Sequence, residues 1–176
     1  GIGIGSPGTI DAKQGVILYS NNFGWENVPI VEELKKHLDT RIEIANDADA
    51  AALGEVCAGA AEGAENAVLL TLGTGVGGGV ILDKKIFHGA MPGGCELGHL
   101  SIRYDGIRCT CGRKGCLEAY ASASALLRIA REKSAEHPES IMNEMCGNDL
   151  EQMNGKIPFD AAKAGDEAGM EVVKEY

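Results

Sequence analysis

Residues 94–118 read GCELGHLSIRYDGIRCTCGRKGCLE, and this stretch decides the interpretation of the whole chain. It contains Cys109, Cys111 and Cys116, with His99 upstream. Three thiolates and one imidazole complete a tetrahedral set of zinc ligands, which is typical of a structural ion rather than a catalytic one. The alternatives are free thiols or a disulfide, and no signal peptide is visible that would favour a secreted, disulfide-bonded domain. The sequence therefore predicts a structural zinc site.

Two carboxylates, Glu96 and Glu118, bracket the cysteines. A metal held by four protein ligands leaves no coordination position for a substrate, so the ion is not expected to perform chemistry itself. We expect it instead to hold Glu96, His99 and Glu118 facing a common space.

Composition excludes several classes of function. The 176-residue chain carries a net charge of −10, which would repel a nucleic acid. Its longest apolar run, Ala67–Leu72, is too short to span a bilayer. These features predict one or two domains of a cytoplasmic protein, with no membrane partner and no nucleic-acid surface in this segment. Because the chain starts at Gly1 and stops at Tyr176 within a predicted helix, we expect a piece of a larger protein.

A second candidate site lies where a predicted strand meets a predicted helix. Arg41–Ala45 alternates apolar and polar residues as a strand does, and strong helix formers continue to Ala61. Between them, Asn46 or Asp47 is a predicted helix cap. Ligands of open α/β sheets bind at the carboxyl ends of strands, so Asp47 is either a functional carboxylate or only a cap.

A glycine-rich stretch follows the predicted buried strand Ala67–Leu72. Residues 73–79 form a predicted turn, and residues 80–87 read as a hairpin rather than as the helix that a dinucleotide fold requires. Backbone N–H groups of such a turn can bind phosphates, and five glycines in seven residues favour this interpretation over a tight turn without a ligand.

The other predicted elements are a strand–turn–strand unit, a loop and three helical regions. They cover, in order, residues 1–20, 21–25, 29–38, 118–133 and 158–176.

Several of these segments together resemble the ROK family of sugar kinases and repressors. The resemblance rests on GIGIGSPG at 1–8, NDADAAALGE at 46–55, LGTGVGGGVI at 72–81, and ELGH with CTCGRKGCLE at 96–118. It implies an α/β fold of the actin-like, hexokinase-like type, built from two RNase H-like lobes. Residues 1–50 would end the small lobe and residues 51–176 would form most of the large lobe, including the zinc-binding loop 94–118.

The resemblance also implies an activity, namely ATP-dependent phosphorylation of a hexose, with glucose to glucose 6-phosphate expected first, as in the bacterial glucokinases of the family. It makes Asp47 the catalytic base. It assigns the hexose to Asn46, Asp47, Glu96, His99 and Glu118, the nucleotide to Gly73, Thr74, Gly75, Gly77 and Gly78, and the metal to His99, Cys109, Cys111 and Cys116. The implied cofactors are ATP, Mg²⁺ and a structural Zn²⁺, and a homo-oligomer is expected. Asp49 departs from the family, which more often has Asn there, and it is expected to point away from the sugar.

Two other functions remain open. A sugar-responsive transcriptional repressor of the family would share this region but would carry a DNA-binding segment elsewhere. A kinase for another hexose, such as N-acetylmannosamine or fructose, would share the carboxylates. Retention of Asp47 beside an intact glycine turn favours a kinase, although the isolated 176 residues are expected to be inactive.

Overall fold

The computed structural model describes residues 1–91, 93 and 95–176. Within it the chain divides into two compact units. The first contains residues 1–71 and 77–97, and the second contains residues 72–76 and 98–176. Gly94, where the predicted zinc-binding loop begins, lies outside the described residues. Of the helices described, none combines the length and apolar character that crossing a membrane requires.

The strands form three small sheets in the part of the chain that is described. β1 pairs with β5, β3 lies between β2 and β4, and β7 lies between β6 and β8. Their bounds are β1 Ile2–Ser6, β2 Thr9–Asp11, β3 Val16–Ser20, β4 Trp25–Val28, β5 Ile42–Asn46, β6 Ala67–Leu72, β7 Val76–Leu82 and β8 Lys85–Ile86.

The opening strands pair differently from the local strand–turn–strand unit that the sequence predicts. β1 runs parallel to β5, with Ile4 opposite Ile44, whereas β3 pairs antiparallel with β2 and β4. β4 lies partly within the loop predicted over residues 21–25. Buried Ile10, Ile17 and Ile44 form one core cluster here, so burial of distant side chains, rather than local turn chemistry, sets the pairing.

Two helices belong to the first unit: α1 at Ile30–Lys35 and α2 at Asp47–Ala58. α1 is shorter than predicted, because the N–H groups of Lys36 and His37 bond to carbonyls three residues back and close the last turn. Leu38, the last predicted helical residue, is therefore outside the helix.

Close packing between α2 and β7 depends on small residues. A Cβ atom added to Gly79 would lie 2.6 Å from the Cβ of Ala52 and 2.7 Å from the carbonyl oxygen of Ala48. Buried Ala52 and Val56 of α2 share a second core cluster with Ile81 of β7. The alanine-rich sequence of α2 thus allows this close approach.

The glycine-rich stretch is only partly a turn. β7 begins at Val76, so the turn spans residues 73–75 and the glycines from 77 to 79 belong to a strand. The predicted hairpin after it is confirmed. β7 and β8 pair antiparallel across Asp83 and Lys84, which both have positive φ, at 50° and 61°.

The second unit is mainly helical. Its helices are α3 Glu118–Ala121, α4 Ala123–Glu136, α5 Ile141–Met145, α6 Ile157–Lys163 and α7 Glu167–Glu175. The single helix predicted over residues 118–133 is interrupted at Ser122, whose side chain accepts a hydrogen bond from the N–H of Ala125 at 3.1 Å and begins α4.

A second interruption divides the helical region predicted over residues 158–176. Gly165 has a φ of 86°, and Asp166 caps α7 by accepting a hydrogen bond from the N–H of Gly169 at 2.8 Å. Asp166 also accepts hydrogen bonds from the hydroxyl of Ser140 and the N–H of Ile141, at 2.8 and 3.1 Å. The core of this unit consists of Leu126, Ile129, Ala130, Met142, Cys146, Met153, Ile157, Ala161, Ala168 and Val172.

The lobe boundary expected near residue 50 falls inside α2, whereas the compact units separate around residues 71–77 and 97–98. The assignment of residues 1–50 and 51–176 to two lobes stays a prediction.

Candidate active site and metal centre

The start of α2 is defined by Asn46, which settles which of the two predicted residues caps the helix. Its side-chain oxygen accepts hydrogen bonds from the N–H groups of Ala48 and Asp49 at 2.9 and 3.2 Å. Its amide nitrogen donates to the carbonyl of Gly8 at 3.0 Å, which ties the helix start to the loop after β1. One N–H of the amide is left over for a ligand, since a primary amide carries two.

Asp47 is the first residue of α2 and is exposed. One of its carboxylate oxygens accepts a hydrogen bond from the N–H of Ala48 at 2.9 Å. The Asp47 carboxylate thus lies at the start of the helix and is accessible to a ligand.

A cavity of about 190 Å³ lies beside this helix start, within the first compact unit. This is smaller than the roughly 300–1,000 Å³ of drug-sized pockets, and it suits a small polar ligand. The polar and charged residues that line it include Asn46, Asp47, Asp49, His88 and Glu96. Three of the predicted hexose ligands, Asn46, Asp47 and Glu96, are thus brought together.

Asp49 also lines this cavity, and its orientation relative to a bound sugar stays a prediction. It is buried, and its carboxylate lies 3.2 Å from Nδ1 of His88. Burial raises the pKa of the Asp49 carboxyl, and the neighbouring imidazole opposes that effect. Sequence reasoning missed His88 because nothing in its local pattern indicates a partner on α2.

The predicted metal ligands lie together in the second unit. One ligand atom from each of His99, Cys109, Cys111 and Cys116 lies within 4.8 Å of all the others. Nδ1 of His99 is 3.6 Å from Sγ of Cys109, and the Sγ atoms of Cys111 and Cys116 are also 3.6 Å apart. A tetrahedral ion with Zn–S bonds of about 2.3 Å and Zn–N bonds of about 2.0–2.1 Å separates its donors by roughly 3.5–3.8 Å. The donor set therefore fits zinc.

The thiols of this cluster differ in acidity. Hydrogen bonds from the backbone and side chain of Arg113 lower the pKa of the Cys111 thiol to about 6. Burial raises the pKa of the Cys116 thiol to about 11. A thiolate is the form that binds a metal, so a cation is needed to keep the buried sulfur of Cys116 charged at neutral pH.

Glycines shape the chain around the cluster. Gly112 and Gly115 both have positive φ, at 88° and 73°. A side chain at Gly115 would also collide with the carbonyl oxygen of Arg103. The two glycines therefore allow the chain to return sharply between Cys111 and Cys116, and at residue 115 only glycine fits.

Glu118 connects this cluster to the glycine turn, a contact that the sequence does not reveal. Its Oε2 atom accepts a hydrogen bond from the N–H of Val76 at 3.0 Å. Its Oε1 atom lies 3.3 Å from the hydroxyl of Thr110 and 3.7 Å from Sγ of Cys109. A Cβ atom at residue 75 would collide with Oε2, so a side chain there would require the Glu118 carboxylate to shift.

The glycine turn is also tied to the start of α4. The N–H of Ala123 donates to the carbonyl of Gly73 at 2.8 Å, and the hydroxyl of Ser124 donates to the carbonyl of Thr74 at 2.7 Å. Gly73, Thr74 and Gly75 therefore form a fixed turn within the second unit.

Gly77 and Gly78 have a packing role in β7. Added Cβ atoms there would lie 2.5 Å from the hydroxyl of Thr71 and 2.6 Å from the Cβ of Leu97. The residues predicted to bind the nucleotide thus divide between a turn and a strand.

The predicted hexose ligands also divide between the two units. Asn46, Asp47 and Glu96 belong to the first unit, and His99 and Glu118 belong to the second. In His99, Nδ1 faces the sulfur cluster, which leaves Nε2 as the nitrogen available to another ligand.

This α/β fold, with a carboxylate at a helix start, a glycine turn and a Cys3His cluster, defines a protein of the sugar-kinase and sugar-repressor type. The profile of the ROK family matches residues 1–176, and the chain belongs to that family. The fold predicted from the sequence, a partial hexokinase-like and actin-like ATPase fold, is confirmed.

Named relatives agree with this assignment. The chain is 43% identical over 166 residues to a glucokinase of Thermotoga maritima, covering 94% of this chain and 52% of the relative. It is 34% identical over 161 residues to a xylose repressor of Bacillus subtilis, covering 90% of this chain and 41% of the repressor. The chain thus spans about half the length of the glucokinase and less than half the length of the repressor.

A solved structure is similar along nearly the whole chain. A ROK family glucokinase from Streptomyces griseus, in complex with glucose and AMPPNP, superposes with a TM-score of 0.83 at 34% identity. The match covers 98% of this chain and 56% of that one.

Proposed function

We propose that this chain is part of an ATP-dependent hexose kinase that converts glucose to glucose 6-phosphate. The observation that carries the proposal is the exposed carboxylate of Asp47 at the start of α2, in a small polar cavity shared with Asn46 and Glu96. Similarity to glucokinases, one of them solved with glucose and AMPPNP, supports the same activity.

In the proposed reaction, a glucose hydroxyl attacks the γ-phosphorus of ATP while Asp47 takes the hydroxyl proton. The bond from the γ-phosphorus to the bridging oxygen breaks, and ADP leaves with that electron pair. Asn46 and Glu96 would hold sugar hydroxyls through hydrogen bonds, and a polar site of this kind rejects analogues that lack those hydroxyls. Orientation of the attacking oxygen then supplies a large part of the rate.

His99 and Glu118 are proposed as the remaining hexose ligands. His99 would use Nε2 for a sugar hydroxyl, because Nδ1 faces the sulfur cluster. Glu118 keeps acceptor capacity for a sugar hydroxyl, because each carboxylate oxygen carries two lone pairs.

The cysteine cluster is proposed to hold a structural Zn²⁺ through His99, Cys109, Cys111 and Cys116. When bound, the ion would stabilise the thiolates and fix the loop. The turn at Gly73–Gly75, with Gly77 and Gly78, is proposed to face the phosphates of ATP. Mg²⁺, when bound, would neutralise charge on those phosphates.

Cytoplasmic location, a place in glycolysis and assembly into a homo-oligomer are proposed with this function. Each of the three requires a test of its own.

The deciding experiment measures ATP-dependent phosphorylation by the full-length protein across glucose, mannose, fructose and N-acetylmannosamine. We expect glucose to be phosphorylated with the highest kcat/KM. A higher kcat/KM for another hexose would support the proposed kinase activity but would contradict glucose as its substrate.

The repressor is the second candidate, because xylose repressors are similar over most of this chain. Sugar binding without phosphoryl transfer, together with sugar-dependent binding of the full-length protein to operator DNA, would refute the kinase and favour the repressor.

A further inference from the structure

Asp49 and His88 form a side-chain contact that the proposed reaction does not use. Nδ1 of His88 lies 3.2 Å from Oδ2 of Asp49. The Asp49 side chain is only 11% exposed, whereas that of His88 is 44% exposed. A buried carboxylate needs a partner, because its desolvation is otherwise uncompensated.

The pair joins two separate parts of the first unit at the cavity. Asp49 is the third residue of α2, two positions after Asp47, and His88 is the second residue after β8. Both side chains line the cavity that contains Asp47 and Glu96. His88 also lines a neighbouring groove along α2 with Leu53 and Ile86.

The charges around the pair are mostly acidic. In the cavity it is faced by Asp47, Cys95 and Glu96, and the neighbouring groove adds Arg41, Glu43 and Cys57. Burial raises the pKa of the Asp49 carboxyl, His88 opposes this, and the charge of Asp47 raises it further. Contact with the imidazole therefore favours the ionised carboxylate of Asp49, whereas burial and Asp47 oppose it.

We propose that Asp49 and His88 are positioning residues, which hold the segment after β8 against the start of α2 and so set the wall of the hexose cavity. This inference rests on the proposed function of that cavity. Neither residue is assigned a proton-transfer step, so loss of the pair should weaken sugar binding more than it slows phosphoryl transfer.

The test is a double-mutant cycle with Asp49→Ala, His88→Ala and the double variant in the full-length protein. Isothermal titration gives the Kd for glucose, and steady-state assays give kcat. We expect each single change to raise the Kd about tenfold, the double variant to be no worse than either single one, and kcat to stay within about threefold.

Two isosteric variants of His88 separate positioning from mere volume. Asparagine places an amide where Nδ1 was and can still bond to Asp49, whereas glutamine places it nearer to Nε2. We expect His88→Asn to retain a glucose Kd within about threefold of the wild type, and His88→Gln to resemble His88→Ala. His37→Ala is the control, because that histidine is exposed and lies outside the cavity.

The outcomes distinguish this inference from the proposed function. Unchanged glucose Kd in Asp49→Ala and His88→Ala would overturn the positioning role while leaving the kinase intact. Additive effects in the double variant would also overturn it. If the wild-type protein binds glucose without transferring phosphate, the proposed kinase activity is refuted, but the double-mutant cycle on glucose binding can still be measured. If the wild-type protein binds no hexose, both the kinase activity and the positioning role are refuted. If Asp49→Ala fails to fold, the His88→Asn and His88→Gln comparison decides.

Discussion

Replacing Asp47 by asparagine should remove the proposed base with little other change. The present carboxylate accepts a hydrogen bond from the N–H of Ala48, and an amide oxygen can accept the same bond. Asn46, not Asp47, caps α2, so the helix keeps its start. Loss of a negative charge at a helix N-terminus costs about 0.3–1 kcal/mol, which should leave the protein folded.

The expected loss follows from the role of a general base. Proton transfer by a positioned side chain contributes about 10²–10⁴-fold, or roughly 3–5 kcal/mol of barrier. We therefore expect Asp47→Asn to lower kcat by at least about 10²-fold. Because an amide can still bond to the sugar hydroxyl, the glucose Kd should stay within about tenfold.

The assay is ADP release at saturating glucose and ATP, with the glucose Kd taken from titration calorimetry. Asp83→Asn is a matched control, since it makes the same chemical change in the β7–β8 turn, where the φ of 50° suits asparagine. The control should keep full activity. A kcat for Asp47→Asn within about threefold of the wild type would refute the assignment of the base.

Three further predictions concern the metal loop and the second unit. Cys111→Ser should abolish stoichiometric zinc in metal analysis, whereas Cys57→Ser, an exposed cysteine outside the cluster, should retain it; equal metal content in both would contradict the cluster. Gly115→Ala should destabilise the protein by more than about 2 kcal/mol in denaturant titrations, because its φ is positive and a Cβ would collide with a carbonyl; an unchanged midpoint would count against this backbone. Asp166→Ala should cost about 1–2 kcal/mol at pH 7 through loss of the α7 cap. Burial raises the pKa of Asp166, but its hydrogen bonds lower the pKa by more, so the net change is downward. The ionised carboxylate therefore stabilises the folded protein above the ordinary pKa of 3.8, and this stabilisation is lost as the pH falls further. The stability difference between wild type and variant should narrow in acid, and a constant difference would disprove the linkage.

The metal cluster is the part of the site that could be predicted from sequence in most detail. Cys109, Cys111 and Cys116 are close in sequence, and two glycines between them permit the tight return. Local spacing therefore limits the arrangement, and the structure brings the predicted donors within 4.8 Å of one another. The helix start at Asp47 and the hairpin turn at Asp83 are likewise determined by local sequence, and the positions of both could be predicted within a residue or two.

Long-range pairing could not be predicted in this way. β1 pairs with β5 across about forty residues, and that choice depends on which faces become buried together. The contact between Asp49 and His88 has the same origin, because α2 and the segment after β8 are adjacent only after folding. The nitrogen with which His99 faces the cluster is also fixed by side-chain orientation, which no spacing pattern encodes.

Glu118 illustrates why a ligand assignment from sequence is incomplete. As a predicted hexose ligand, Glu118 would need only an available carboxylate oxygen. In the structure, however, its Oε2 atom accepts a hydrogen bond from the N–H of Val76, and its Oε1 atom lies beside Thr110 and Cys109. The same carboxylate therefore links the cysteine cluster to the end of the glycine turn. Because a rigid carboxylate at this point depends on the loop that carries Cys109, disorder in the loop would be transmitted to the turn without any change in the turn itself. If the cluster holds zinc, as proposed, removal of the metal is therefore expected to alter the glycine turn as well as the loop.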